Sequence, residues 1–384
     1  MVLRRRAWLS HEGWYYVAVL AFIVGGAVLR SVNLLVVLSG MMIAPLLINW
    51  RVVMAALRGI EVSRKTPPQI CAGDPLTIEL SVTNHRRWLG SWLLVLEDKL
   101  RVKAAPRRGE RPTLARAVIA QLAPGQTISA TYRLNIPRRG LYRLGPLRVS
   151  TRFPLGLVRA TLTLPIEDTL VVAPRLGVLS EEWSQIVEAD AAGDETSHAQ
   201  RGIDEGDYYS LRPFRSGDAR RWIHWRTTAK FNVPIVRQFE RQRSFDVAML
   251  IDLWLPEKPT DDDRGRLEFA LSLAATAIAD LCGQGQSQLT IVVASPVPQI
   301  WSGPTSHAFC REVFSHLAAL EGQPGSDVPA AIRELRREQA LGSKLLVIST
   351  RKLEAGGHED EAEVGNVRWI DVTDPEIAAV FSLP

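Results

Sequence analysis

Near its N-terminus the chain carries two apolar stretches, WYYVAVLAFIVGGAVL at residues 14–29 and LLVVLSGMMIAPLLINW at residues 34–50. Neither stretch contains a charged residue, and only four residues separate them. At 1.5 Å per residue, each would form a helix of roughly 24–26 Å, which is near the lower limit for crossing a bilayer. The sequence therefore predicts an anchor, residues 1–59, that contains a hairpin of two transmembrane helices.

Aromatic residues at the ends of both stretches support this prediction, because amphipathic rings favour the headgroup layer. They are Trp14, Tyr15, Tyr16 and Trp50. A cleaved signal peptide is disfavoured by the second stretch and by the lack of an A-x-A site after the first. A buried soluble hairpin would need polar positions at helical spacing, and these are missing. A shallow re-entrant pair stays open as an alternative, because both stretches are short.

Arginines flank the hairpin unevenly. Residues 4–6 are all arginine, Arg51 and Arg58 follow the second stretch, and the connecting turn contains only Arg30. The positive-inside rule then predicts a multi-pass protein of the inner (cell) membrane, with both termini and the soluble domains in the cytoplasm and the lipid bilayer as a partner. The three cysteines lack CxxC spacing, which fits a reducing compartment and argues against a disulfide framework or a zinc ribbon.

The division of charge along the chain is more informative than its net charge of +5. Residues 1–60 carry +5, residues 61–175 carry +11 and residues 176–384 carry −11. Because the largest part is acidic, the composition argues against a nucleic-acid-binding protein. The basic loop at residues 101–116 could touch anionic lipid, although a solvated loop is the more common structure for such a sequence.

Two soluble domains of different character follow the anchor. In residues 60–175, apolar and polar residues alternate at 76–83 and 128–136, which predicts an all-β, sandwich-like domain. In residues 244–384, apolar stretches alternate with helical patterns, which predicts an α/β domain with a doubly wound parallel sheet. Ligands of such sheets bind at the carboxyl ends of the strands. The polar residues expected at those ends are Asp252, Ser295, Thr350 and Asp371.

Residues 176–243 contain the most distinctive segment of the chain. It reads GIDEGDYYSLRPFRSGDARRWIHWRTTAK at residues 202–230 and VRQFE at residues 236–240. In spacing and in composition, this segment resembles the signature of the bacterial family called domain of unknown function 58. The residues at the signature positions are Arg212, Phe214, Gly217, Asp218, Arg221, Trp225, Arg226, Ala229, Lys230, Arg237 and Glu240.

The signature departs from the family pattern at five positions. His224 replaces the usual acid, Phe214 the usual tyrosine and Thr228 the usual serine. Arg226 and Lys230 exchange basic types, so the charge at both positions is kept. The residues found at the other three positions differ in chemistry from those usual in the family.

The resemblance implies a C-terminal domain like that of von Willebrand factor A. It also implies a partner, a MoxR-type AAA+ ATPase, and a role in the assembly or maturation of envelope or metalloprotein complexes. Von Willebrand factor A domains bind a divalent cation through Asp-x-Ser-x-Ser after one strand and an Asp after another. Here the first motif reads Asp252-Leu-Trp254-Leu-Pro256, and Thr350-Arg351 stand at the second. Only Asp252 remains, so we expect neither a bound metal nor a cofactor.

Two roles are open for the signature residues. Their arginines outnumber the local acids and could hold an anionic group of a partner. A buried Arg–Asp network is the structural alternative, and we expect it for Arg221 and Asp218 because they are closely spaced. Trp222 and Trp225 lie three residues apart, which predicts one helical face shared with Ala229.

The sequence favours an interaction module over an enzyme. It lacks the motifs GxxxxGK[ST], GxSxG and HExxH, and it has no complete GxGxxG. Because a catalytic triad assembles in space, a hydrolase that uses His224, Asp218 and a serine stays an alternative. A cell-surface adhesin would need the opposite topology and an intact metal site. We therefore predict a membrane-anchored protein-interaction or scaffold module.

Overall fold

The computed structural model describes residues 4–30, 32–103, 112–183, 208–215, 220–239, 247–285, 288–338, 344–351 and 367–383. The chain divides into two compact units. The first, the anchor unit, comprises residues 1–176 together with the short segment 314–320. The second, the α/β unit, comprises residues 177–313 and 321–384.

The apolar hairpin of the anchor unit consists of helices α1 (His11–Arg30) and α2 (Asn33–Ala56). Helix α1 begins where it does because the Oγ of Ser10 accepts a hydrogen bond from the Gly13 amide at 3.0 Å. Both helices are long and apolar enough to cross a membrane, and only 11% of each apolar window is buried. The predicted pair of apolar helices is confirmed, and it indicates membrane association.

A mostly β region follows the hairpin, as predicted. It contains a sheet of eight strands, in which β6 pairs with β5 and the others run in the order β1-β10-β9-β5-β8-β11-β3, and a second sheet of three strands in the order β2-β4-β7. The strands of the larger sheet are β1 (Arg4–Leu9), β3 (Gln69–Cys71), β5 (Ser91–Val102), β6 (Thr113–Leu122), β8 (Gly140–Leu144), β9 (Leu147–Thr151), β10 (Val158–Leu164) and β11 (Asp168–Ala173). The strands of the smaller sheet are β2 (Ile60–Lys65), β4 (Pro75–Asn84) and β7 (Thr127–Asn135).

The two sheets share one hydrophobic core. The alternation predicted for residues 76–83 is observed in β4, where Leu76, Ile78, Leu80 and Val82 are all buried. These side chains belong to one cluster with Leu94 and Leu96 of β5 and with other strands of the larger sheet. The period-two apolar pattern therefore correctly predicted the buried face of β4.

The hairpin is joined to the β region at both ends. Strand β1 immediately precedes α1 and pairs antiparallel with β10, whereas β2 follows α2 and pairs with β4. The last turns of α2 enter the β core, because Val53 and Leu57 are buried in the shared cluster. Helix α2 is therefore seated in the β region instead of being connected by a flexible linker.

A buried ion pair connects the two sheets. Arg64 of β2 donates to the carboxylate of Asp98 on β5 at 2.5 Å and to that of Asp168 on β11 at 2.7 Å. Tyr132 of β7 donates to the same oxygen of Asp98 at 2.7 Å. The side chains of Arg64 and Asp98 are 0% and 1% exposed. Burial alone would lower the pKa of Arg64, but the two carboxylates outweigh it and raise this pKa above its usual value.

The α/β unit contains a five-stranded sheet in the order β17-β16-β15-β18-β19. The strands are β15 (Val247–Asp252), β16 (Gln288–Ala294), β17 (Gln299–Pro304), β18 (Lys344–Ser349) and β19 (Val367–Asp371). Four strands are parallel, as predicted, but β17 pairs antiparallel with β16. The prediction of an entirely parallel sheet was therefore wrong. Strand β17 was missed because its sequence, QIWSGP, ends in Gly-Pro and reads as a loop.

Helices and small sheets complete the α/β unit. The helices are α3 (Trp225–Phe231), α4 (Asp261–Gln284), α6 (Val328–Glu338), α7 (Ile377–Val380) and the first half of α5 (His307–Ala319), whose residues from 314 onward are counted with the anchor unit. Helix α4 starts at a capping box between Thr260 and Asp263. It also has the length and composition of a membrane span, but 67% of its apolar window is buried. The remaining strands form two pairs, β12 (Val178–Leu179) with β20 (Phe381–Ser382) and β13 (Tyr208–Pro213) with β14 (Ile235–Phe239).

Candidate functional site

The signature segment folds into a strand, a 3-10 turn at Arg220–Trp222, helix α3 and a second strand. Strands β13 and β14 pair antiparallel, with Arg212 opposite Val236 and Leu211 opposite Arg237. The Phe214 amide extends this pairing by donating to the carbonyl of Pro234 at 2.8 Å. We call this arrangement the signature module. It brings both halves of the sequence signature together.

His224 is the N-cap of helix α3. Its Nδ1 accepts a hydrogen bond from the Thr227 amide at 3.3 Å and lies 2.7 Å from the Thr227 hydroxyl. Its own amide donates to the carbonyl of Ile235 at 2.8 Å, which ties the start of the helix to β14. Asp and Asn are favoured caps for the same geometry. The acid usual in the family and the histidine found here can therefore serve one structural purpose.

The structure also explains why Thr228 can replace the serine that is usual in the family. Its hydroxyl accepts a hydrogen bond from the Ile235 amide at 3.0 Å, so it joins α3 to the first residue of β14. A serine at this position would supply the same oxygen. Asn232 then ends the helix in the left-handed conformation, with φ of 57°, and its amide donates to the carbonyl of Thr228.

The predicted helical face of Trp222, Trp225 and Ala229 is not formed. Trp222 ends the 3-10 turn and lies before the cap at His224, whereas Trp225 is the first residue of α3. Because the cap separates them, the two indoles do not share a helix. The Trp225 side chain is 68% exposed, so it does not pack against a sheet within the described residues.

The prediction that Arg221 is buried in a pair with Asp218 is also wrong for Arg221. Its side chain is exposed, and its guanidinium lies 5.2 Å from the ring centroid of Trp222. The remaining signature residues are distributed as follows: Arg226, Ala229, Lys230 and Arg237 are exposed, Arg212 and Phe214 are half-buried, and Gly217, Asp218 and Glu240 lie outside the described residues.

Helix α3 concentrates positive charge. Arg226 and Lys230 are four residues apart, so they lie on the same side of the helix, and the sequence WRTTAKF contains no acid. Like charges at this spacing destabilise an isolated helix by about 0.2–0.5 kcal/mol. The helix accepts this cost while exposing Trp225 and Phe231 at its two ends. Exposed tryptophan and arginine together are typical of the residues that dominate protein interfaces.

A second candidate site lies at the carboxyl end of β15. Asp252 is fully buried, and its Oδ2 accepts hydrogen bonds from the Ser349 hydroxyl at 2.9 Å and from Nε of Arg351 at 3.1 Å. Arg351 lies 31% exposed at the opening, where its guanidinium is 5.5 Å from the centroid of Trp254. The Oδ1 of Asp252 has no partner among the described residues.

The residues around Asp252 do not fit a divalent cation. The carboxylate that would hold the metal is instead neutralised by the guanidinium of Arg351, and the hydroxyl of Thr350 donates to the carbonyl of Trp254 at 2.7 Å. Trp254 and Pro256 offer no side-chain oxygen. In the described part of the chain, no three His, Cys, Asp or Glu side chains form a group that could hold a metal.

Arg351 is the residue that the sequence argument did not select. The strand-end rule indicated Asp252 and Thr350, and both lie at a cleft of about 300 Å³ or directly beneath it. Arg351 directly follows Thr350, the polar residue named by the rule, and this position was the signal that could have indicated it. Asp371 instead accepts from Thr373 in its own turn, and the Ser295 hydroxyl donates to the carbonyl of Val297. The cleft is lined by Trp254, Leu255, Pro256, Asp263, Arg266, Thr350, Arg351 and Thr373.

Comparison with known proteins supports the family resemblance over part of the chain. The family model described as "Protein of unknown function DUF58" matches residues 210–379, which contain most of the signature module and the Asp252 site. The uncharacterized protein YeaD of Bacillus subtilis (strain 168) is 27% identical over 200 residues, which are 51% of this chain and 48% of that protein. The chain therefore spans about half the length of this curated relative.

Two solved structures illustrate a distant likeness. A beta-glucosidase from Listeria innocua is 18% identical, with a TM-score of 0.21, over 29% of this chain and 16% of the enzyme. The C-terminal domain of Wzt is 13% identical, with a TM-score of 0.24, over 31% of this chain and 75% of that domain. At such scores neither structure assigns a fold or an activity to this protein.

Proposed function

We propose that this protein is a membrane-anchored interaction module whose signature module docks on an acidic surface of a MoxR-type AAA+ ATPase. The observation that carries the proposal is the exposed combination of Trp225, Arg226 and Lys230 on helix α3. An anionic partner would relieve the repulsion between the two cations, and the indole would supply buried apolar area. The complex would serve the assembly or maturation of envelope or metalloprotein complexes.

Membrane anchoring on the cytoplasmic side is the second part of the proposal. The arginines at residues 4–6, Arg51 and Arg58 favour a cytoplasmic position for both ends of the hairpin. The fold supports the same arrangement, because β1 and β2 lie on either side of the hairpin in the chain and belong to one compact unit. Two helices that leave and re-enter one folded unit must have both ends on the same side of the bilayer.

A von Willebrand factor A-like identity of the α/β unit is part of the same proposal. It is supported by the parallel core of the sheet and by Asp252 at the carboxyl end of the central strand β15. The guanidinium of Arg351 on that carboxylate favours a version of the domain that works without a metal ion. We accordingly expect partner binding that is insensitive to chelators.

The alternative of a hydrolase is not favoured by the geometry of His224. Because Nδ1 accepts from the Thr227 amide, the neutral ring carries its proton on Nε2. That nitrogen then has no lone pair with which to act as a general base. We therefore propose a binding role for the signature module and no catalytic role.

The test is a binding measurement between the detergent-solubilised full chain and the purified ATPase. We expect Trp225→Ala, and the double variant Arg226→Ala with Lys230→Ala, each to raise Kd about 30-fold, which corresponds to about 2 kcal/mol for a hot spot. Arg133→Ala is the matched control, because Arg133 is an exposed arginine on β7 of the anchor unit. Equal Kd values for all four proteins, or no binding by the wild type, would contradict the proposal.

A further inference from the structure

The loop at residues 152–157 in the anchor unit touches both helices where their apolar stretches begin and end. The Ser10 amide donates to the Leu157 carbonyl at 2.9 Å, and the Leu155 amide donates to Oδ1 of Asn49 at 3.4 Å. Gly13 is required at this approach, since a Cβ there would lie 2.0 Å from the Leu157 carbonyl oxygen. Trp14 and Trp50, both exposed, follow Gly13 and Asn49 directly. The loop is therefore level with the aromatic residues expected in the headgroup layer.

Exposed apolar side chains surround this loop on the anchor unit. Phe153 and Leu155 project from it, and the ring of Trp92 lies 5.5 Å from that of Phe153. The Thr151 hydroxyl donates to the carbonyl of Trp92 at 2.9 Å, which fixes the start of β5 beside the loop. We call Trp92, Leu93, Phe153 and Leu155 the rim. Trp92 and Phe153 are in ring contact, and the exposed Leu93 and Leu155 lie one and two residues from them in the chain. Such a concentration of exposed apolar side chains is unfavourable in water.

Leu93 pays an additional conformational cost. Its φ is 52°, in the left-handed region that a leucine rarely adopts, and its side chain is 52% exposed. Backbone strain of this kind persists where the surroundings impose it. Here the strained residue presents an aliphatic group outward, beside the other rim residues, where water gives it no compensating contact.

Basic residues accompany the rim. Arg51 is exposed next to Trp50, and Arg87 is exposed in the turn before β5. Arg152, next to Phe153, is also exposed and lies 3.9 Å from the carboxylate of Glu12. Cationic groups next to amphipathic aromatics match the surface of an anionic lipid leaflet. The end of α2 and the start of β5 are also held together, because the Ser91 hydroxyl donates to the carbonyl of Ala56 at 2.8 Å.

From these observations we propose that the rim lies in the headgroup layer of the bilayer that the hairpin crosses. The anchor unit would then rest on the anionic leaflet at a fixed orientation. This inference rests on the proposed membrane anchoring and adds a second contact to it. It also selects one end of β5 as the membrane-facing end, since Val102, from which the basic loop leaves, lies ten residues beyond Trp92, or about 33 Å.

The experiment is photocrosslinking of the full chain in vesicles of phosphatidylcholine and phosphatidylglycerol. A photoreactive phenylalanine analogue is placed at Leu93, Phe153 or Leu155, one position per protein. Leu114 is the matched control, because it is 49% exposed in the same unit and pairs with Lys99, six residues from Leu93 along β5. Phe22, exposed in the middle of α1, reports on the hairpin itself.

We expect lipid adducts, identified by mass, at Phe22 and at the rim positions, several-fold above the yield at Leu114. The use of three rim positions keeps the test valid if the analogue at the strained Leu93 disturbs the fold. Lipid adducts at Phe22 with rim yields equal to Leu114 would overturn the rim and leave the anchor standing. Protein adducts at the rim in place of lipid would overturn it in favour of a protein contact. No lipid at Phe22 would overturn the anchoring, and the rim with it.

Discussion

Two Arg–Asp pairs, one in each unit, use the same chemical groups with different consequences. In the anchor unit, Arg64 and Asp98 are buried between two sheets, where Tyr132 donates a hydrogen bond to Asp98 and Asp168 accepts one from Arg64. In the α/β unit, Asp252 is equally buried, but Arg351 lies at the opening of a cleft. Solvent access to the guanidinium is the main difference. A sealed pair can only hold the fold, whereas an open pair can exchange its cation's contacts for those of a partner.

The largest effect should follow from breaking the sealed pair. We expect Arg64→Ala to lower the free energy of unfolding by about 3–5 kcal/mol, because the buried carboxylate of Asp98 is left without its counterion. Urea unfolding of the solubilised chain measures the loss, and hydrogen exchange in β5 and β15 shows which unit is affected. Arg133→Ala, on an exposed face of the same unit, should change little. Protection lost equally in both strands would refute a local role.

Breaking the open pair should cost less. Asp252→Asn keeps the size of the side chain and removes its charge, while Arg351 can turn toward solvent from its half-open position. We expect a loss of about 1.5–3 kcal/mol, the value of hydrogen bonds to a charged group. The same unfolding assay applies. A loss as large as that of Arg64→Ala would show that the two pairs contribute equally to stability, and that solvent access to the guanidinium makes no difference.

Tyr132 allows the sealed network to be tested by pH. Burial, followed by the negative charge of Asp98, raises the pKa of Tyr132 well above its ordinary value of 10.0. The unfolded chain therefore loses this proton first, so the stabilisation is complete below pH 10 and is lost as the pH rises further. The slope approaches about 1.4 kcal/mol per pH unit. Tyr132→Phe should flatten the decline between pH 10 and 11, and an unchanged slope would count against the assignment.

The smallest effect on stability is expected in helix α3, where the basic side chains are exposed. Arg226→Ala should leave the stability of the chain unchanged or raise it by about 0.2–0.5 kcal/mol, because it removes the repulsion from Lys230. A thermal melt of the variant and of Lys230→Ala is sufficient. A clear destabilisation by either variant would mean that α3 uses its charge for folding, contrary to the proposed interface.

The binary pattern of the sequence was enough to predict the hairpin and the alternating strands, since an apolar period of two or an uninterrupted apolar stretch has few structural solutions. It could not predict which arginines are buried. Arg64 and Arg221 are the same residue type in polar surroundings, and only the packing of distant strands separates them. The shared face of Trp222 and Trp225 failed for a local reason, because a cap at His224 interrupts the helix between them.

The pairing of β1 with β10 also sets an order of events during synthesis. Val158 follows its partner Leu9 by 149 residues. At 5–20 residues per second, the ribosome needs about 7–30 s to produce that partner after β1 has emerged. The hairpin is complete throughout this interval, while strand β1 stays unpaired. A chain arrested before Leu164 would therefore be anchored but unclosed, and its free strand edges would invite aggregation.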